Sequence, residues 1–218
     1  MEYTSQHKSD AVIGVLLAGG QARRMGGGDK CLLALAGQSL LAHVIDRLAL
    51  QTEQLVLNVN GDPERFAEFG LPAVADPVEG FAGPLAGVLA GFNWVRENAP
   101  HARWIATAAT DTPFFPQELV ARLLDATGGQ YPAIALAASN GRMHPVFGLW
   151  PTALAEDLHR ALTGGTRKVL DWTDRHTTVT AEFPDIRVGD AALDPFFNAN
   201  RPDDLAHAET LLAETVQP

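Results

Sequence analysis

The chain has 218 residues, 46% of them hydrophobic and 19% charged, with a formal net charge of −10 and a pI near 5.0. That is enough apolar material for a sizeable core, which excludes global disorder. The acidic balance argues against a general nucleic-acid or membrane-surface binder, whose affinity rests on surplus basic charge.

Residues 1–10 are polar and mixed in charge, without an apolar signal core, and are expected to be a disordered N-terminus. Residues 11–17 form an apolar run bounded by glycine and read as a buried strand. Ser39 can cap a helix running to about residue 50, with Leu40, Leu41, Val44, Ile45 and Leu48 on one face. Residues 54–60 read as a strand, 63–69 as a short helix and 71–75 as a short strand ending at Asp76-Pro77. Pro84 suits the first position of a helix over 84–98. Residues 103–109 form the next strand, stopped at Thr110-Asp111-Thr112-Pro113. Residues 116–126 are helical, closed by Gly128-Gly129. Residues 132–138 and 144–150 read as strands joined at Asn140-Gly141, a strong hairpin signal. Helices over 151–162 and 166–172, a strand over 177–182 and a helix over 202–214 complete the chain.

This alternation predicts an α/β fold: a mainly parallel mixed sheet with helices on both faces, in one domain over residues 11–218. The hairpin supplies at least one antiparallel strand. No stretch of ~18–20 apolar residues occurs, so no membrane-spanning helix is expected. The single cysteine, Cys31, allows no intrachain disulfide and fits a cytoplasmic setting. It reads as a half-buried thiol and not as a nucleophile. In sheets of this kind ligands bind beyond the carboxyl ends of the strands. The residues at those ends are therefore the candidates for function.

The first strand opens into L-A-G-G-Q-A-R-R-M-G-G-G-D-K, from Leu17 to Lys30. Glycines let backbone N–H groups approach an anion, while Arg23, Arg24 and Lys30 neutralise it. Lys30 precedes Cys31 and not Ser or Thr, so this is no P-loop. Nor does the run fit the G-x-G-x-x-G dinucleotide fingerprint. A flexible surface loop rich in glycine and cations is the plain alternative, but such a loop seldom sits directly behind a first buried strand. A polyphosphate site fits better.

Asp111 either caps the following helix or offers Mg²⁺ a hard carboxylate beside that loop. With the loop present, the metal role fits better. Asp76 precedes a glycine-rich turn, and Gly83 and Gly87 would let an anion approach a helix N-terminus, though a tightly packed helix explains them nearly as well. Asn58 and Asn60 share one face at a strand end, as base- or ribose-binding amides or as turn residues. His144 is a structural histidine or orients a second substrate. Asn200 can cap the last helix, which leaves Asn198 without that explanation. The basic turn at residues 164–168 is a solvated helix start or an anion contact. No cluster has zinc spacing, and no G-x-S-x-G nucleophile elbow occurs.

Taken together, the opening run, Asn58, Asp76, G-P-L-A-G from Gly83, T-D-T-P around Asp111, H-P at His144 and N-A-N-R-P-D-D-L from Asn198 resemble the molybdenum cofactor guanylyltransferase family over about residues 11–213. The resemblance implies a nucleotide-diphospho-sugar-transferase-like, Rossmann-like fold. It implies transfer of GMP from Mg²⁺-bound GTP to the terminal phosphate of molybdenum-bound molybdopterin, with release of pyrophosphate. By the same resemblance Leu17, Ala18 and Gly19 lie along the nucleotide, Lys30 on its phosphates, and Asn58 and Asp76 at GTP contacts. Asp111 matches the Mg²⁺ ligand, and Arg24 lies in the essential loop. Lys30, Arg24 and Asp111 are the expected catalytic residues, with Asn198, Asn200 and His144 on the pterin side. The expected partners are GTP, molybdenum-molybdopterin and, transiently, cofactor-inserting enzymes or chaperones. A cytoplasmic monomer without nucleic-acid or membrane partners is expected. The rival readings are a cytidylyltransferase for the same pterin, a sugar-1-phosphate nucleotidyltransferase and a non-catalytic molybdopterin carrier. The Leu17-Ala18-Gly19-Gly20 form resembles the guanine-using branch.

Overall fold

The computed structural model describes residues 11–18, 29–78, 83–188, 191–199 and 202–215. The expected disordered N-terminus therefore lies outside the described residues. In chain order the strands and helices are β1 (Val12–Leu17), β2 (Ala34–Leu35), β3 (Gln38–Ser39), α1 (Leu40–Ala49), β4 (Gln54–Asn58), β5 (Ala73–Val74), α2 (Pro84–Asn98), β6 (Trp104–Ala109), α3 (Leu119–Ala126), β7 (Ile134–Ser139), β8 (Arg142–Pro151), α4 (Ala155–Thr163), α5 (Val169–Thr173), β9 (Thr178–Glu182), β10 (Ile186–Val188), β11 (Ala191–Leu193) and α6 (Pro202–Thr215).

Seven strands form one sheet in the order β5-β4-β1-β6-β8-β7-β9. β1 pairs in parallel with β4 and β6, β4 with β5, and β7 with β9. β8 alone runs against its neighbours β6 and β7. The α/β reading and the antiparallel hairpin strand therefore hold. The hairpin turn is the expected one: Asn140 and Gly141 have φ of 50° and 74°, the left-handed pair that a two-residue loop between Ser139 and Arg142 requires.

Strand periodicity divides the core into two layers. Ile13 and Val15 of β1 face Leu85, Val88, Leu89 and Phe92 of α2, with Leu158, Leu162 and Trp172 alongside. Val12 and Leu16 face Leu41, Val44 and Leu48 of α1, with Leu119 and Leu123 of α3. Side chains alternate across a strand, so one apolar run feeds both layers. A third cluster joins Leu35, Leu40, Phe114, Leu193, Ala199 and Ala208, seating α6 and the small β10–β11 hairpin against the segment after β1. Among the described residues no helix is long and apolar enough to cross a membrane.

Several boundaries differ from the sequence expectation, each for a local reason. β4 stops at Asn58 and not at residue 60, because its neighbours end there: Asn58 pairs with Leu17 on one side and Val74 on the other. α3 starts at Leu119 and not at 116. The carbonyls of Phe115 and Pro116 accept from Arg47 and Gln51, and the Val120 N–H donates to Gln51 Oε1, so Gln51, just past the end of α1, supplies the cap. Pro151 ends β8 opposite Trp104 instead of opening a helix. The hairpins β2–β3 and β10–β11 have no counterpart in the sequence reading. They are too short to show a period.

Candidate functional site

The register brings four strand ends level. Leu17 lies beside both Asn58 and Ala109, and Asn58 beside Val74. Residues that follow these ends therefore share one edge of the sheet. Ala18 is held there by its N–H, which donates to the Asn58 carbonyl at 2.9 Å. The Leu17 carbonyl accepts from the Thr110 hydroxyl at 3.3 Å, tying the ends of β1 and β6.

Beyond β6, Asp111 meets Lys30. The ammonium lies 2.7 Å from Asp111 Oδ2, with side chains 14% and 26% exposed. A short 3-10 turn over Lys30–Leu32 carries the lysine, anchored by buried Cys31. Burial pushes the Cys31 thiol up to about 11, with the Asp29 charge acting in the same direction, so it stays protonated and unreactive. Thr112 places its hydroxyl between Asp111 Oδ1, at 3.3 Å, and Asn198 Oδ1. The Ala199 N–H also donates to the Asp111 carbonyl at 3.0 Å. Asn198 is thus brought to Asp111 from far along the chain.

On the other side of β1, Asp76 is gripped by two amides. Asn58 Nδ2 donates to its Oδ1 at 3.0 Å and Asn60 Nδ2 to its Oδ2 at 2.8 Å. The Asp76 N–H returns a bond to Asn60 Oδ1 at 3.3 Å. Asn58 is covered by the first turn of α2. A methyl at Gly87 would stand 2.5 Å from both Asn58 Oδ1 and Leu17 Cδ2, so only a bare backbone allows this approach.

His144 lies farther along. It is 8% exposed, its ring stacks on Phe196 at 4.4 Å, and its Nε2 lies 2.7 Å from Ser139 Oγ. The Ser139 hydroxyl donates to Asp194 Oδ1 at 2.8 Å, so His144 Nε2 carries the proton on the bond between them. Burial lowers the His144 pKa, partly opposed by Asp194 and reinforced by Arg142. His144 therefore secures the segment that leads to Asn198. Gly19, Arg24 and Asn200 lie outside the described residues.

Sequence reasoning missed Thr112, Ser139, Asp194 and Arg65. Thr112 was within view, next to Asp111 in T-D-T-P. Ser139 and Asp194 meet across 55 positions, and Arg65 meets Asp29 across 36. No local pattern announces such pairs. Among the described residues no group of three or more His, Cys, Asp or Glu could cage a metal ion. A hard carboxylate such as Asp111, set at the strand ends, suits a divalent cation shared with substrate phosphates.

The MobA-like NTP transferase domain matches residues 14–179. The chain is 55% identical over 204 residues to a molybdenum cofactor guanylyltransferase of Bradyrhizobium sp. (strain ORS 278), covering 93% of this chain and 94% of that one. It is 56% identical over 198 residues to the enzyme of that name from Rhodopseudomonas palustris (strain HaA2), covering 90% of each. In fold it resembles the molybdopterin-guanine dinucleotide biosynthesis protein A of Archaeoglobus fulgidus, with a TM-score of 0.68 and 23% identity over 93% of this chain and 99% of that one. A nucleotidyltransferase sheet, a family match over most of the chain and relatives matched nearly end to end lead to one conclusion: the chain belongs to the MobA-like NTP transferases and, among them, to the molybdenum cofactor guanylyltransferases.

Proposed function

We propose that this chain transfers GMP from GTP to the terminal phosphate of molybdenum-bound molybdopterin. A pterin phosphate oxygen attacks the α-phosphorus, the α–β phosphoanhydride bond breaks, and pyrophosphate leaves. The names of relatives more than half identical to it support guanylyl transfer to the molybdenum cofactor. The observation that carries the reading is the Lys30–Asp111 pair, set level with the amide-gripped Asp76 on the far side of β1.

The attacking and leaving groups are both phosphates, so no protein nucleophile is needed. The protein's work is to align two anions and neutralise charge as it develops. Lys30 and Asp111 form an ion pair at 2.7 Å. Lys30 would neutralise the GTP phosphates, and Asp111 is the residue that would hold Mg²⁺ beside them. That cation, when bound, supplies charge neutralisation to the α-phosphorus and the departing pyrophosphate. Leu17, Ala18 and Gly19 line the nucleotide, Arg24 steadies the triphosphate, and Asn58 and Asp76 hold the nucleoside. Asn198, backed by Thr112, and Asn200 address the pterin side, with His144 acting through Phe196.

The test is pyrophosphate release with Mg²⁺ and each of GTP, CTP, ATP and UTP, with and without molybdenum-loaded molybdopterin. Release with GTP alone, and only when the pterin is present, is the expected result. Release with CTP moves the assignment to a cytidylyltransferase. Pterin binding without release from any nucleotide leaves a carrier and refutes the enzyme reading.

A further inference from the structure

Asp29 presents a difficulty for a polyphosphate site. Its carboxylate directly precedes Lys30, and a free negative charge there would repel the anion that Lys30 is meant to hold. Arg65 meets it. The Arg65 guanidinium Nη1 donates to Asp29 Oδ2 at 2.5 Å, with side chains 39% and 19% exposed. The same fork donates through Nη2 to the Asn60 carbonyl at 3.1 Å and through Nε to the Asp62 carbonyl at 2.9 Å. Arg65 stands on the 3-10 helix Pro63–Phe69, which Asp62 caps and buried Phe66 pins to the core. The guanidinium is therefore anchored from below and reaches two segments at once.

Those segments belong to the two halves of the site. Asp29 fixes the approach to Lys30, and Asn60 grips Asp76. We propose that Arg65 is a positioning residue of the nucleotide site: it cancels the charge of Asp29 beside the phosphates and locks the Lys30 segment to the Asn60–Asp76 clamp, so that the phosphate half and the nucleoside half hold one nucleotide. The proposal rests on the nucleotidyltransferase reading above. A lysine in place of Arg65 keeps the charge, but as a point donor it cannot span Asp29, Asn60 and Asp62 together.

Steady-state kinetics with GTP and the molybdenum-loaded pterin test this in wild type, Arg65→Ala, Arg65→Lys, Asp29→Asn and the double variant Arg65→Ala/Asp29→Asn. Arg65→Ala is expected to raise KM for GTP about 10-fold, with kcat changed less than about 3-fold and KM for the pterin unaltered. Arg65→Lys falls between it and wild type. Removing the stranded charge in the double variant recovers at least half of the loss on a logarithmic scale. A scaffold role alone would lower the melting temperature, affect both substrates alike and gain nothing from Asp29→Asn. Either that pattern or a GTP KM unchanged in Arg65→Ala overturns the proposal while wild-type turnover keeps the functional reading intact. Should Arg65→Ala fail to fold, Arg65→Lys with and without Asp29→Asn decides by the same rescue. A wild-type protein that neither turns over nor binds GTP with Mg²⁺ overturns both readings.

Discussion

Replacing Gly87 by alanine separates packing from site geometry, because Gly91, one turn later on α2, provides a matched control. A methyl at Gly87 would stand 2.5 Å from Asn58 Oδ1 and Leu17 Cδ2; one at Gly91 would stand 2.7 Å from Val15 Cγ2 and 3.0 Å from Ile105 Cδ1. Both changes overpack the layer between α2 and the sheet, which costs roughly 1–3 kcal/mol. Both also gain about 1 kcal/mol from replacing glycine inside a helix. The costs win narrowly, by about 1 kcal/mol, which for a chain of this size lowers Tm by roughly 2–4 °C. The two variants should therefore melt alike. They should not turn over alike. Only Gly87→Ala pushes on Asn58, which holds Asp76 Oδ1 at 3.0 Å. A displaced Asn58–Asp76 clamp that gives up one charge-assisted hydrogen bond to the nucleotide loses about 1.5–3 kcal/mol of binding, hence roughly 10- to 150-fold in kcat/KM for GTP. Thermal melts followed by circular dichroism and initial rates of pyrophosphate release at subsaturating GTP measure both quantities. If Gly87→Ala retains wild-type kcat/KM, or Gly91→Ala loses as much, the argument that α2 seats the Asn58–Asp76 clamp is wrong.

Asp111→Ala is expected to abolish turnover, by about 10³-fold or more, with the fold intact; near-wild-type rates at saturating Mg²⁺ would contradict its place in the site. Lys30→Ala should lower kcat about 100-fold, and a change confined to the pterin KM would refute its phosphate role. The His144 pKa is lowered chiefly by burial. Below its unfolded value near 6.5 the unfolded chain thus takes up a proton that the folded chain resists. Its contribution to stability is present above pH ~6.5 and is lost as pH falls through the folded pKa. Urea midpoints between pH 8 and 5 should drop in wild type and drop less in His144→Gln; equal slopes would exclude His144 as the source. With Cys31 near 11, alkylation by iodoacetamide at pH 8 should run at least about 100-fold slower than for a free thiol, and rapid labelling followed by mass spectrometry would refute its burial.

What the sequence made legible follows the range of the forces involved. Periodicity and turn chemistry are local, so β1, α2 and the Asn140-Gly141 hairpin could be read from a few neighbouring residues. The topological rule for ligand edges then turned strand ends into candidates, and Leu17, Asn58, Asp76 and Asp111 do arrive at one edge. Other boundaries were hidden because a distant element decides them. The start of α3 depends on Gln51 and Arg47 of the α1 region, and the end of β4 depends on where β1 and β5 stop.

The same distinction explains the site. Asp111 could be noticed because an acidic residue closing an apolar strand is itself a local signal, but its geometry comes from afar. Thr112 joins it to Asn198, and Lys30 reaches it across 81 positions. Asn60 looked like one of two equal amides on a strand, yet the chain has already left β4 there, and that departure lets its side chain take the second oxygen of Asp76. Arg65 sits on a segment that the sequence marks only as a short helix. Its meaning appears only when Asp29 is seen as a charge that the proposed phosphate site must neutralise. A sequence can thus name the groups that do chemistry, because few residue types can do it. The groups that aim them are chosen by distance in space, and many residue types can serve. Positioning residues are therefore the part of an active site that most needs a structure, and the Arg65–Asp29 rescue measures one of them directly.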